Sequence, residues 1–287
     1  MSGRVDGGQS RRHVRRRTAG KIQGPNSRTR ATRDQLSWLN EASLRIGTTL
    51  DLKTTAQELA DFAVPRLADG AAVDLLESVI QGEEGQRPSG KGRPVRRAMA
   101  VSAIERLTDL EPDQVGEIST SDPTRDSHFT RALAAGRPLL IGRIGPDDYD
   151  KLGPTPSAAA KLQQAGVHSY MMVPLIARGV LLGSADFIRA GGRPGFTTAD
   201  LALATQLAAK AAVDVDNARL YGREREHVAR LQRNLLPRDT PRTPGLAVTS
   251  RYTPTVDPLG GGGDWFDVAP LPGGRTALVV GDVMSHG

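Results

Sequence analysis

Asp264 and Asp282 are the candidate metal-ligating pair in this sequence. Between them, Trp265 to Leu271 mixes aromatic and aliphatic residues, Pro272-Gly273-Gly274 has turn chemistry, and Arg275 to Asp282 contains the apolar run TALVV. That pattern predicts a β-hairpin. A three-residue loop at 272–274 pairs Leu271 with Arg275, and the same register carried outward sets Asp264 opposite Asp282. Directly opposed residues share a face, with Cβ atoms about 5 Å apart. At an effective dielectric of about 20, two carboxylates at that distance repel by roughly 3 kcal/mol. A cation or a shared proton must compensate. Hard divalent ions, Mg²⁺ or Mn²⁺, suit all-oxygen ligands. Gly260 to Gly263 and Gly281 let backbone and ion approach closely. A plainer reading stands beside this one: Asp is common at strand ends and in turns, and a two-residue loop at Gly273-Gly274 would shift the register by one. A phosphate-cradling loop is discounted, since no Lys-Ser/Thr follows the glycine run and no helix pattern begins there.

The scaffold behind this pair starts far upstream. Helical spacing is expected over Gln35 to Leu50 and again from Leu52 to Leu67, where Leu52, Ala56, Leu59, Ala60 and Ala63 share a face and Pro65 sits near the end. Ala71 to Ile80 reads as a strand, Gly82 to Arg97 as a flexible Gly/Pro-rich loop, and Ala98 to Ile104 as the next strand. Phe129 to Ala135 is a short helix closed by Gly136. Pro138 to Ile144 is a strand, Gly145 to Ser157 a loop, and Ala158 to Ala165 a helix ended by Gly166. A hairpin follows, SYMMVPLI and VLLGSADFI about the Ala177-Arg178-Gly179 turn, with Pro174 favouring an edge or a bulge.

A long helix then starts at Thr197 or Thr198, either a good N-cap. From Ala199 to Leu236 it covers 38 residues, about 57 Å at 1.5 Å per residue. Gly222 is its one weak point. Leu201, Ala204, Ala208, Ala211, Val215 and Ala218 step by three and four; the seam continues through Tyr221, meets polar Arg225, and resumes at Val228, Leu231 and Leu235. Two readings are open: packing on its own sheet over the first half, or a parallel dimer linker carrying a signal to the hairpin. The polarity of Arg223 to Arg233 favours the dimer.

Two family resemblances follow from these segments. MMVPLIARGVLLGSADFI with GFTTADLALATQLAAKAAVDVDNARLY resembles a GAF domain, a small-molecule sensing or dimerising module, over about Gln35 to Tyr221. No ligand and no pocket residue is implied, and His128 and His168 read as surface or structural rather than as ligands. GGDWFDV and LPGGRTALVVGDVMSHG, preceded by LQRNLLP and RYTP, resemble the start of a PPM-type (protein phosphatase 2C-like) metal-dependent phosphatase of the stage II sporulation E branch, over Arg230 to Gly287. That resemblance implies a two-metal Mg or Mn centre on Asp264 and Asp282, with the Val283 carbonyl a further ligand. It also implies a serine/threonine phosphatase acting on a phosphorylated anti-sigma-factor antagonist. The family usually has Gly where Ser285 stands. The segment stops short of the later strands that supply further metal-binding Asp residues in that family, so the expectation is an inactive fragment.

Composition bounds the rest. The chain has 287 residues, 38% of them hydrophobic, and no cysteine, which excludes disulfides, thiolate metal sites and thioether-attached chromophores. Nothing approaches a membrane span, and a cytoplasmic location is expected. The net charge of +6 belongs to the tail: residues 1–33 hold ten Lys/Arg against Asp6, a net +9, leaving −3 for the remainder. Those 33 residues are expected to be disordered. Arg11-Arg12 and Arg15 to Arg17 lead into no apolar segment, so a twin-arginine signal is rejected. Nucleic acid is a weaker candidate partner than a solvated tail is an explanation.

The expected architecture is α+β. A basic tail (1–33) precedes a GAF-like antiparallel sheet with flanking helices (34–198). A long linker helix (199–236) follows, then an incomplete phosphatase α/β sandwich (238–287). Two functions compete: a sensor-regulated metal-dependent protein phosphatase, and a non-catalytic GAF-type ligand-binding and dimerisation module.

Overall fold

Helix α1 (Pro25–Arg45) is the first described element and has proline in its first turn, where the missing N–H costs nothing. The computed structural model describes residues 25–91, 94–107, 115–119, 127–146, 148–152, 156–235, 246–249 and 264–282. Helix therefore starts inside the stretch expected to be disordered. The arginines that marked it as a tail are good helix formers, and no glycine or proline interrupts Asn26 to Arg45. Residues 1–24 lie outside the described residues. The chain divides into two units, Met1–Trp38 and Leu39–Gly287, and α1 crosses that division.

Helix α2 (Leu52–Ala63) is capped by the Asp51 carboxylate, which accepts from Thr54 N at 2.7 Å. That hydrogen bond holds the Asp51 carboxyl below the usual carboxylate range. The helix stops at Ala63, short of the expected Leu67, because Val64 must be extended before Pro65.

Strand β1 (Gly70–Leu76) is shorter than its apolar run. Glu77–Ile80 turn instead into helix α3, which brings Glu77 onto Arg97 at 2.8–2.9 Å. The segment expected to be a flexible loop is tied down: Gln86 bridges Leu181, and Ser89 and Gly90 donate to Ala134 O. Strand β2 (Arg96–Ala103) and the two-residue β3 (Ile118–Ser119) follow, then α4 (His128–Ala134), β4 (Leu139–Ile141), α5 (Tyr149–Leu152) and α6 (Pro156–Gln164). α5 lies where only loop was expected, because four residues carry too little periodicity to be read.

The hairpin is β5 (Val167–Ala177) and β6 (Val180–Ala190), followed by α7 (Thr198–Leu235). The sheet is antiparallel with order β3-β2-β1-β6-β5-β4. β4 pairs with β5 only as far as Met172, so Pro174 lies where β5 has a ladder on one side.

Directly paired residues share a face, and the register sorts the sheet into two. Val73↔Ala185, Ala71↔Phe187 and Met171↔Phe187 belong to an apolar face whose members are almost wholly buried. The buried stripes of α2 (Ala56, Leu59, Ala60, Ala63) and α7 (Ala204, Leu207, Ala208, Ala211, Ala212, Val215) cover it. The first half of the α7 seam is thus spent on its own sheet. Small side chains there let the helix lie close, and each buried methylene contributes about 0.8 kcal/mol. Arg189 locks the helix start. It donates to Leu67 O and to Asp200, and its guanidinium stacks 4.2 Å from the Phe196 ring centroid. Burial works against the Asp200 charge, yet hydrogen bonds from Thr197 and Arg189 hold its carboxyl below the ordinary range.

Of the expected sandwich, the described residues contain one hairpin, β7 (Asp264–Leu271) and β8 (Arg275–Asp282), forming a sheet of two strands. No helix among the described residues is long and apolar enough to cross a membrane.

Candidate functional site

The second face of the six-stranded sheet carries the polar chemistry. Asp74 pairs with Ser184, Ala72 with Asp186, Met172 with Asp186 and Tyr170 with Ile188, so Asp74, Tyr170, Ser184 and Asp186 all project to one side. A bulge between Val73 and Asp74 shifts the β2 register and sets Arg96 opposite Leu76 on that same side. α4 covers it: the Phe129 ring lies 4.4 Å from the Arg96 guanidinium carbon.

Within this cluster, Arg96 donates to the Asp74 carboxylate, both side chains being nearly fully buried. The Tyr170 hydroxyl donates to Asp186 Oδ1, and Ser184 Oγ donates to Asp186 Oδ2 at 2.9 Å. Two carboxylates thus face a single guanidinium. Burial first, and then the neighbouring Asp74 charge, pushes the Asp186 carboxyl up to about 7, against the pull of Tyr170, Arg96 and Ser184. Burial and the Asp186 charge likewise raise the Tyr170 phenol well above its ordinary value. This part of the sheet can therefore hold or release a proton near neutrality.

The residues singled out from the sequence lie elsewhere. Asp264 and Asp282 are paired across β7 and β8, and Leu271 pairs with Arg275, as a three-residue loop requires. Gly273 (φ 79°) and Gly274 (φ 72°) supply that turn. The one-residue shift of a two-residue loop is therefore not what the chain adopts. The side chains of the two aspartates, and Val283 altogether, lie outside the described residues. His128 is exposed beside Arg131 at 3.1 Å, and the His168 Nε2 atom is buried without a hydrogen-bond partner. Neither histidine belongs to the cluster.

None of the cluster residues had been selected from the sequence. The available signal was an ionisable residue inside an apolar strand, Asp74 in AAVDLL and Asp186 in GSADFI, where Asp is disfavoured. A groove of about 350 Å³, lined by Leu52, Gln81, Arg219, Arg223 and Glu226 among others, lies on a different part of the molecule, beside the second half of α7.

The GAF domain family model matches residues 51–215, more than half of the chain. Among solved structures, the chain is similar to the GAF domain of a phosphoenolpyruvate-protein phosphotransferase from Coxiella burnetii. Identity is 16%, with 66% of this chain and 96% of that one covered and a TM-score of 0.46. A GAF domain/HD domain protein from Geobacter sulfurreducens matches at 16% identity, covering 59% and 95%, with a TM-score of 0.43. The phycocyanobilin-bound GAF domain of a cyanobacterial phytochrome matches at 15% identity, covering 65% and 96%, with a TM-score of 0.44.

Proposed function

Because the chain belongs to the GAF domain family, a family of ligand-binding sensor modules, we propose that it takes a small molecule against the polar face of its sheet and relays occupancy through α7. The observation that carries this is the balance of charge at that face among the described residues, the Asp74 and Asp186 carboxyls beside the Arg96 guanidinium. A proton on Asp186 offsets the second carboxylate. An ammonium, a guanidinium or another N–H donor offsets it equally well, whereas an anion adds to the negative charge. The ligand class is therefore a small cation or N–H donor. The test is thermal unfolding of the full chain with small amines and guanidines, and with small carboxylic acids as controls, at pH 8 where Asp186 is ionised. Stabilisation by amines that vanishes in Asp186→Asn supports the reading. Stabilisation by carboxylates, or an amine shift undiminished in the variant, refutes it.

A second reading concerns the output. The opposed backbone positions of Asp264 and Asp282 support a PPM-type metal site beginning at β7 and β8; phosphoserine of an anti-sigma-factor antagonist as its substrate is supported by the sequence resemblance alone. Two carboxylates and the Val283 carbonyl leave a six-coordinate Mg²⁺ or Mn²⁺ about three ligands short. Among the described residues, no group of three His, Cys, Asp or Glu could hold a metal. The described residues do not complete the site, and no hydrolytic step is derived from them. Calorimetric titration with Mn²⁺, and phosphatase assay with Mn²⁺, each compared with Asp264→Asn, test the reading. Heat or turnover unchanged by the substitution rejects it. A homodimer belongs to the same reading and rests on α7 beyond Arg219, because the earlier seam residues are covered by the sheet. Val228→Glu then converts a sedimenting dimer to monomer, and an unchanged sedimentation coefficient excludes that seam.

A further inference from the structure

The β5–β6 turn holds the one non-glycine residue with positive φ among the described residues, Arg178 at 52°, followed by Gly179 at 77°. Asn, Asp or Gly is the usual occupant of such a position, and a long side chain there is strained. The strain has a counterpart in the side chain. Arg178 Nε lies 3.4 Å from Oδ2 of Asp216, a carboxylate almost fully buried on α7. Oδ1 of the same carboxylate accepts from Arg219 Nε at 3.1 Å and Nη2 at 2.8 Å. Arg219 Nη1 in turn donates to Glu83 O at 3.2 Å, in the segment that bridges β6 through Gln86 and Leu181.

The position of this knot along α7 matters. The helix is buried on the sheet as far as Arg219, and residues 222–227 are exposed. Asp216 and Arg219 therefore sit where burial of α7 on the sheet ends; beyond them the helix runs beside Gln81 to Glu84. The turn that reaches them belongs to the hairpin carrying Tyr170, Ser184 and Asp186. Two strands of the sensing face and the end of the buried stretch of the output helix are thus joined by one ion-pair cluster.

We propose that Arg178, Asp216 and Arg219 form the link by which the β5–β6 hairpin sets the position of α7 where its burial ends; the proposal rests on the reading of the polar sheet face as the sensing site. Arg178 is a positioning residue. It touches no ligand and acts through Asp216, so movement or stiffening of the hairpin reaches the helix without passing through the apolar core.

The experiment is amide hydrogen exchange over residues 217–230 of the full chain at pH 8. It compares wild type, Asp186→Asn, Arg178→Gly and the double variant. Asp186→Asn makes the sensing-face carboxyl neutral at constant pH and stands in for its neutralisation by a bound cation. Glycine accepts the turn conformation, so Arg178→Gly leaves the melting temperature unchanged or raises it. The link predicts the opposite sign at the helix, with exchange over 217–230 faster by about threefold or more. It also predicts that Asp186→Asn changes exchange there only when Arg178 is present, and that Arg178→Lys keeps part of the protection. Exchange unaltered by Arg178→Gly overturns the proposal. So does an Asp186→Asn effect that persists undiminished in the double variant. If that effect persists undiminished while Asp186→Asn also abolishes amine stabilisation, the link fails and the sensing face stands. If amines never stabilise but the α7 response follows Arg178, the link stands and the assigned ligand class falls.

Discussion

Replacing Asp186 by asparagine should abolish a specific component of the pH dependence of stability. The carboxyl has an ordinary value of 3.8 and is pushed up to about 7 in the folded chain. The folded state thus keeps a proton that the unfolded state releases. Stability is present in full below pH 3.8, falls as pH rises, and levels off above about 7. Roughly three pH units at 1.36 kcal/mol each set a ceiling of about 4 kcal/mol. Only about two of those units fall between pH 5 and 8, roughly 2.7 kcal/mol at full strength, and Asp186 keeps some contact with solvent as a residue, so about 1–2 kcal/mol is the expected magnitude in that window. Asparagine keeps a carbonyl oxygen for one of the two hydroxyl donors, turns its NH2 to the oxygen of the other, and does not ionise. Urea unfolding followed by far-ultraviolet circular dichroism, at half-unit steps from pH 5 to 8, gives the difference between variant and wild type at each pH. Other titrating groups largely cancel in that difference. Asp186→Asn should gain steadily on the wild type as pH rises. A difference that stays flat, or that moves in favour of the wild type, refutes the assignment of a buried, proton-holding carboxyl.

Breaking the adjacent pair should be costly at any pH: Arg96→Met leaves Asp74 buried without its guanidinium and should lower stability by about 3–5 kcal/mol in the same unfolding assay. At Gly183 an added Cβ collides with the Asp74 carbonyl of the neighbouring strand, so Gly183→Ala should destabilise by about 1–3 kcal/mol, measured by thermal unfolding. Arg189→Met removes the bonds to Leu67 O and Asp200 that start α7, and faster amide exchange at residues 198–205 should report it. On β8, Val280 is 83% exposed and Leu278 is 62% exposed. Val280→Lys should therefore leave stability within about 0.5 kcal/mol while reducing light scattering on concentration, since uncovered apolar strand faces promote association.

Local chemistry alone determined several features of this protein. The turn residues Pro272 to Gly274 settled the β7–β8 register and so the pairing of Asp264 with Asp282. The unbroken run after Thr198 settled the length of α7, and the apolar stripes of β5 and β6 settled the central hairpin. Each depends on residues within one or two turns of one another, and such periodicities survive in a linear string. Glu77–Ile80 shows the limit, because its apolar pattern continues β1 while the chain turns helical to reach Arg97, twenty residues away in sequence.

The polar face was decided only by tertiary structure. Asp74, Arg96, Tyr170 and Asp186 come from four strands, and no spacing relates them. The Val73/Asp74 bulge and the strand order β2-β1-β6-β5 bring them together. Likewise, a seam of small residues on α7 serves a sheet or a second helix equally well when read as a sequence. The fold chose the sheet, because β1, β5 and β6 present an apolar face that only a close-packed helix can keep from water.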